Sequence, residues 1–159
     1  MDILAHFLWA YALYWGHPYA WLAGILGTLP DIIPFIPSML YQARRGTLHF
    51  GKPDIKAIPH WVHTLYAFTH SLVIFALVAG ALFLLWPVAF WLLGGWLLHI
   101  LLDIPTHEKD FFPTPFLWPL SNYTVDGVTW ATRWVMVTNY TALLAAYAWL
   151  LLRVPGPFW

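Results

Sequence analysis

The sequence contains no cysteine and very few charged residues. Of its 159 residues, 7 are Lys or Arg and 7 are Asp or Glu, which makes 9% charged. A soluble domain carries about 25%. The absence of cysteine excludes disulfides and thiolate metal sites, and the net charge of zero gives no support for nucleic-acid binding. The hydrophobic share of 61%, with 12 Trp and 8 Tyr, is typical of a membrane protein whose aromatic rings lie at the membrane interfaces.

Five apolar segments separated by turns and loops predict one integral membrane domain over residues 1–159, folded as an all-α polytopic bundle of four or five helices. The predicted segments are residues 3–15, 19–36, 59–86, 88–104 and 132–152. We expect Pro30 and Pro34 to interrupt the second segment and Pro105 to end the fourth. Gly94 and Gly95 predict close helix packing. Without a basic n-region and a cleavage site, the first segment is expected to remain in the mature protein.

The basic residues are unevenly distributed. Four lie in the predicted polar loop 37–58, Lys109 and Arg133 lie in or beside the loop before the last segment, and Arg153 alone lies on the other side. The four in the polar loop are Arg44, Arg45, Lys52 and Lys56. The positive-inside rule then places the N-terminus and both long loops in the cytoplasm. The same polar loop could also hold anionic lipid headgroups.

His99 and Asp103 lie four residues apart in an apolar helix, so they share one helical face. A carboxylate in such surroundings is costly unless something pairs with it. A metal ion is a natural partner, because a His and a carboxylate one turn apart can reach the same ion. His6, Asp31 and His70 fall near the same predicted cytoplasmic side, so we predict that these five residues are metal ligands.

Each of the added ligands has a simpler alternative. Asp31 can cap a short helix, His70 can bond to a backbone carbonyl, and His6 can be an interfacial histidine. Four further residues share a helical face with a predicted ligand and are candidates for the site or its supporting contacts. Asp2 would orient His6. His60 and His63 precede His70, and His107 follows Asp103. The alternative for His60 and His63 is an interfacial or solvated histidine, and the alternative for His107 is a histidine of the loop.

Five short motifs occur in an order that resembles the YdjM-like family of predicted inner-membrane metal-dependent hydrolases. They are His6, Leu29-Pro30-Asp31-Ile32, Thr69-His70-Ser71, His99-x-x-x-Asp103 and Leu117-Trp118-Pro119. That family is similar to zinc-dependent phospholipase C and P1-type nucleases. The resemblance implies a bacterial or archaeal inner membrane and one to three ions bound by His6, Asp31, His70, His99 and Asp103. The chain departs from the family at Ile33, where a second Asp is frequent, and at residues 65–68, which lack its His-Arg pair.

These observations favour a metal-dependent hydrolase that acts on a lipid or other amphiphilic phosphoester, through water activated by the metal. His and carboxylate ligands without thiolate suit zinc first, and also manganese or iron. The sequence assigns no general base and no oligomeric state. Three alternatives stay open, namely a structural metal site, an ion or proton relay, and a haem held by two histidines.

Overall fold

The computed structural model describes residues 1–48, 55 and 58–153. Within that part of the chain there are helices and loops and no strand, which confirms the all-α prediction. The helices are α1 (Ile3–Leu13), α2 (Ala20–Arg44), α3 (His60–Thr69), α4 (Leu72–Leu85), α5 (Pro87–Phe90), α6 (Gly94–Thr106) and α7 (Arg133–Arg153). A 3-10 turn at Trp91–Leu93 joins α5 to α6.

Among the described helices, α2 and α7 are each long and apolar enough to cross a membrane, which supports a membrane protein. The pair α3 and α4 meets the same test only if it is counted as one span bent by 54°. This gives two or three candidate spans, fewer than the four or five predicted. The difference arises because α1, with 11 residues, and α6, with 13, fall short of the roughly 20 residues that a span requires.

Helix α2 corrects the prediction that prolines interrupt the second segment. It continues through Pro30, Pro34 and Pro37 for 25 residues and ends at Arg44, so the polar loop begins later than expected. At about 1.5 Å per residue, Asp31 lies near the middle of this helix and not near its end. The predicted loop residues Lys52 and Lys56 lie outside the described part of the chain.

One contact shows how α2 tolerates these prolines. Pro34 has no N–H, so it cannot bond to the carbonyl of Pro30 one turn earlier. The hydroxyl of Thr69, on α3, donates to that carbonyl at 2.8 Å instead. The contact also fixes the distance between the Leu-Pro-Asp-Ile and Thr-His-Ser motifs.

The helix break occurs at His70, where the sequence predicted continuous helix. His70 follows the last residue of α3, and Ser71 caps α4 by accepting hydrogen bonds from the backbone of Val73 and Ile74 at 3.1 and 3.2 Å. The loop after α6 satisfies two further polar groups at the break. The Ser71 hydroxyl donates to the carbonyl of Trp118, and the Leu72 N–H donates to that of Phe116 at 2.8 Å. Broken backbone at membrane depth is tolerated when protein covers it in this way.

Helix α6 packs closely on α2 through glycine. A Cβ atom at Gly95 would lie 2.2 Å from the carbonyl oxygen of Ala23, so only glycine fits. This confirms the close packing predicted for Gly94 and Gly95. Helix α6 also passes through Pro105 and ends at Thr106, one residue beyond the predicted stop at Pro105. The close packing of α6 on α2 places His99 within hydrogen-bonding distance of the α2 backbone.

Helix α1 is fastened to α7 by polar contacts as well as by apolar packing. The indole nitrogen of Trp9 donates to Asn139 at 2.8 Å, and the hydroxyl of Tyr147 donates to the carbonyl of Leu8 at 2.8 Å. Ala5 and Leu143 are buried between the two helices. His6, next to Ala5 in the sequence, contacts His99 and Asp103 of α6, so α1 forms part of the wall around the polar interior.

Candidate metal centre

Four of the five predicted ligands meet in the interior of the bundle. The ligand atoms of Asp31, His70, His99 and Asp103 lie within 4.8 Å of one another, and all four residues are buried. They come from α2, from the break between α3 and α4, and from α6. Asp31 and Asp103 are 72 positions apart in the sequence. The fold thus brings distant residues into one compact group of possible metal ligands.

The spacing of the four ligand atoms suits a single ion. The Nε2 atoms of His70 and His99 are 3.0 Å apart. The Oδ2 atom of Asp103 lies 3.3 and 3.2 Å from those two nitrogens, and Oδ1 of Asp31 lies 3.5 and 3.8 Å from them. Ligands at about 2.0–2.1 Å from a tetrahedral ion are roughly 3.3 Å from each other. The group therefore has the dimensions of a tetrahedral site.

The backbone fixes the orientation of both imidazoles. Nδ1 of His99 faces the carbonyl oxygen of Gly27 at 2.7 Å, and Nδ1 of His70 faces that of Tyr66 at 2.9 Å. A carbonyl only accepts, so each Nδ1 carries a proton, and in the neutral ring the Nε2 lone pair then points into the group. Metal-binding histidines commonly donate their other N–H to a backbone carbonyl in this way.

Asp103 gives the strongest indication that a cation belongs here. Its Oδ2 is buried and has no hydrogen-bond partner among the described residues, although two imidazole nitrogens lie close to it. Two lone pairs and two carboxylates converging in an apolar interior repel one another unless a cation lies between them. Two nitrogens and two carboxylate oxygens are a donor set that zinc, manganese or iron accepts, so the residues fit a divalent metal.

His6 lies beside the group and outside its four ligands. Its ring stacks on that of His99, with the centroids 3.6 Å apart. Its Nε2 lies 3.0 Å from Oδ1 of Asp103, the carboxylate oxygen that faces away from the group. The N-terminal ammonium group of Met1 forms an ion pair with this same oxygen. His6 is therefore placed to contact a ligand, and its own coordination of the same ion stays a prediction.

The structure gives Asp2 a different role from the predicted one. Its carboxylate caps α1 by accepting from the backbone of Ala5 at 3.0 Å, and it accepts from the hydroxyl of Tyr140 at 2.9 Å. Within the described part of the chain, the hydrogen bonds to the Asp2 carboxylate come from Ala5 and Tyr140 and not from His6, so Asp2 does not orient that ring. Asp2 fastens α1 to α7.

His60 and His63, in the first half of α3, make their contacts outside the four-residue group. His60 is exposed and lies next to Thr64. The ring of His63 stacks on Phe112, with centroids 5.3 Å apart. Neither belongs to the four-residue group.

His107 is buried against the group but is not part of it. Its Nδ1 lies 3.1 Å from the carbonyl oxygen of Asp103 and 3.7 Å from Oδ1 of that residue. Burial lowers the pKa of His107, and the carboxylate of Asp103 acts in the opposite direction. The ring forms part of the wall of a neighbouring cavity.

That cavity has a volume of about 430 Å³ and reaches the group at Asp31. Its other walls are mainly apolar and come from the start of α1, from α2 and from the loop after α6. The size lies within the range of about 300–1,000 Å³ of small-molecule sites. Asp31 thus belongs both to the candidate metal group and to a space that a small molecule can occupy.

The sequence prediction missed two residues that position the ligands. The hydroxyl of Thr69 joins α3 to α2 beside Asp31. Tyr66 stacks on His70 at a centroid distance of 3.8 Å, and its hydroxyl donates to the carbonyl of Phe112 at 3.0 Å. A usable signal was present, because Tyr66 lies four residues before His70 and shares its helical face.

Comparison of the chain with protein-family models, with curated proteins and with solved structures finds no match. The resemblance to the YdjM-like family therefore stays a prediction that is based on the five motifs.

Proposed function

We propose that this protein is a membrane-embedded metal-dependent hydrolase. The observation that supports the proposal is the buried group of two imidazole nitrogens and two carboxylates, which borders a 430 Å³ cavity at Asp31. A divalent metal bound there would lower the pKa of a water molecule and polarise the bond to be cut. The ion we favour is zinc, and manganese and iron suit the same donors.

The four side chains of the group would have different roles in this reaction. Backbone carbonyls hold the Nδ1 protons of His70 and His99, so Nε2 is the atom of each ring that would bind the metal. Asp103 supplies negative charge at the back of the group, where it is fully buried. Asp31 lies at the boundary with the cavity and so faces the position of a substrate.

For the substrate we propose an amphiphilic phosphoester, such as a lipid. The cavity combines one carboxylate of the group with mainly apolar walls, which suits a molecule with a polar end and an apolar end. We place the protein in a bacterial or archaeal inner membrane with the site open to the cytoplasmic side. The motifs support this kind of membrane, and the basic residues of the polar loop support the orientation.

A second candidate function is a structural or relay site without catalysis. The observation that favours it is the depth of burial, since His70 and Asp103 are 0% exposed and Asp31 is only 7% exposed. Structural zinc sites use four protein ligands and leave no position open, whereas catalytic sites keep one open. If all four residues coordinate one ion, no position is left for water.

The test compares two double variants of the detergent-purified protein. His99→Ala/Asp103→Ala removes half of the group, whereas His60→Ala/Asp110→Ala changes two exposed residues outside it. We expect about one equivalent of metal or more in the wild type and in the control, and its loss in the first variant. Hydrolysis of a panel of phosphomonoesters and phosphodiesters should follow metal content.

The outcomes separate the two functions. If the wild type retains metal but hydrolyses none of the tested esters, the structural site is favoured. A wild type that stays metal-free after zinc or manganese is added would overturn both metal functions and leave a proton relay.

A further inference from the structure

The cavity beside Asp31 is lined by a few polar side chains and by a larger apolar surface. Asp31 and His107 line it next to the candidate metal group, and Asp2 lines it at the start of α1. Aromatic rings form just over half of the rest, and Phe35 of α2 meets Phe112 edge to face with centroids 5.1 Å apart. Trp130 closes the wall on the side of the loop. Such a wall favours hydrocarbon over a sugar or a peptide backbone, because it offers few hydrogen-bonding groups.

The rim of the cavity is made of residues that face outward. Ile3 and Leu4, at the start of α1, line the cavity and are 46% and 57% exposed. On α2, Ile36 follows the cavity-lining Phe35 and is 47% exposed. Because α2 is long and apolar enough to cross a membrane, an exposed isoleucine near its middle suits contact with lipid hydrocarbon. Exposed apolar residues therefore line the cavity on α1 and lie beside it on α2.

From this arrangement we propose that the cavity is the binding site for one hydrocarbon chain of a membrane amphiphile, which enters sideways from the bilayer between α1 and α2. The polar end of the amphiphile then lies at Asp31, and its chain lies along Phe35 and Phe112. The proposal extends the proposed function by naming the class of molecule that the site binds. It rests on the proposed function only for the hydrolysis of that molecule. Chain binding itself can be measured without hydrolysis.

Phe112 provides a clear readout, because it lines the cavity but is only 5% exposed. Lipid outside the protein cannot reach this side chain, whereas a chain inside the cavity touches it. The experiment places the protein in nanodiscs that contain a phospholipid with a diazirine at the end of one acyl chain. After irradiation, labelled positions are mapped by peptide mass spectrometry. We expect adducts at Phe112 and Phe35.

A matched pair of variants tests the direction of access. Leu4 and Leu13 are both exposed leucines of α1, at 57% and 59%, and only Leu4 lines the cavity. We expect Leu4→Trp to narrow the mouth and to reduce labelling of Phe112 about tenfold, and Leu13→Trp to leave it unchanged. Ile3→Trp is a second rim variant, which keeps the test valid if Leu4→Trp misfolds.

Several results would overturn the proposal. One is that Phe112 stays unlabelled while exposed leucines such as Leu144 are labelled. Another is that Phe112 is labelled to the same extent in the Leu4→Trp and Leu13→Trp variants. Crosslinks between two protein copies at the rim would mean that a second chain covers the mouth.

A kinetic comparison separates this proposal from the proposed function. If the protein hydrolyses phosphoesters, Leu4→Trp should lower kcat/KM about tenfold for a long-chain ester and leave a short, water-soluble ester nearly unchanged. Equal losses for both esters would overturn the chain site and leave the hydrolase intact. Labelling of Phe112 without any hydrolysis would support the chain site and count against the hydrolase.

Discussion

The Nε2 atoms of His70 and His99 lie 3.0 Å apart, each with its Nδ1 held by a backbone carbonyl. When both rings are neutral, these tautomers direct their Nε2 lone pairs at each other. Asp103 adds a carboxylate oxygen 3.3 and 3.2 Å from the two nitrogens. An arrangement of this kind is unfavourable in an apolar interior unless a cation occupies its centre, so metal binding and stability should be coupled.

The first prediction concerns metal removal. A chelator should lower the melting temperature of the detergent-solubilised protein, because the donors lose the cation that offsets their repulsion. At a free metal concentration 100 times its Kd, binding contributes about 2.7 kcal/mol to stability. Differential scanning fluorimetry with and without the chelator measures the shift, and added zinc or manganese should reverse it.

The control for this effect is the double variant His99→Ala/Asp103→Ala, whose melting temperature should not respond to chelator or metal. If the wild type is equally insensitive, the four residues form a stable polar network without a metal, which would contradict the metal centre.

Much of the fold could be predicted from the apolar segments and the turns between them. The last helix was expected at residues 132–152 and is found at Arg133–Arg153. The prediction failed where local rules were overridden by contacts with distant residues. Prolines normally end a helix, yet α2 continues because Thr69 satisfies the carbonyl that Pro34 leaves unpaired. The break at His70 likewise depends on carbonyls from the loop after α6, which no local pattern reveals.

The site was predictable to the extent that residue type and helical spacing define it. His99 and Asp103 were found from a four-residue interval, and Asp31 and His70 from their position near the same predicted side of the membrane. Sequence reasoning could not separate His6 from the four-residue group, since the choice depends on which oxygen of Asp103 each ring faces. The stacking of His6 on His99 is a matter of three-dimensional packing and leaves no signature in spacing.

The second prediction concerns the hydroxyl of Thr69. Thr69→Val keeps the shape of the side chain but removes the donor to the carbonyl of Pro30. A buried carbonyl without a partner costs about 1–3 kcal/mol. Because this contact joins the elements that carry Asp31 and His70, metal affinity should also fall by about tenfold. Isothermal titration with zinc and thermal unfolding measure the two effects.

Two variants show whether the hydroxyl itself matters. Thr69→Ser keeps the donor and should retain most of the affinity. Thr64→Val removes a hydroxyl from an exposed position on the same helix and should change neither quantity. Equal effects of Thr69→Val and Thr64→Val would show that the Thr69 contact does not support the site.

The third prediction concerns the approach of α6 to α2. In Gly95→Ala the added methyl group would lie 2.2 Å from the carbonyl oxygen of Ala23, a backbone atom that cannot move without its helix. Overpacking of this kind costs about 1–3 kcal/mol. The two helices must separate, which pulls His99 away from the carbonyl of Gly27, now 2.7 Å from its Nδ1. We therefore expect both a lower melting temperature and less bound metal.

Gly80→Ala is the matched control, because Gly80 lies inside α4 and a Cβ atom there would meet nothing within 4 Å. Alanine is favoured over glycine in a helix by about 0.5–1 kcal/mol, so this variant should unfold at the same or a higher temperature and keep its metal. A Gly95→Ala protein that loses stability but binds metal with wild-type stoichiometry and affinity would contradict the link. Metal binding would then depend on the four side chains and not on the close contact between α2 and α6.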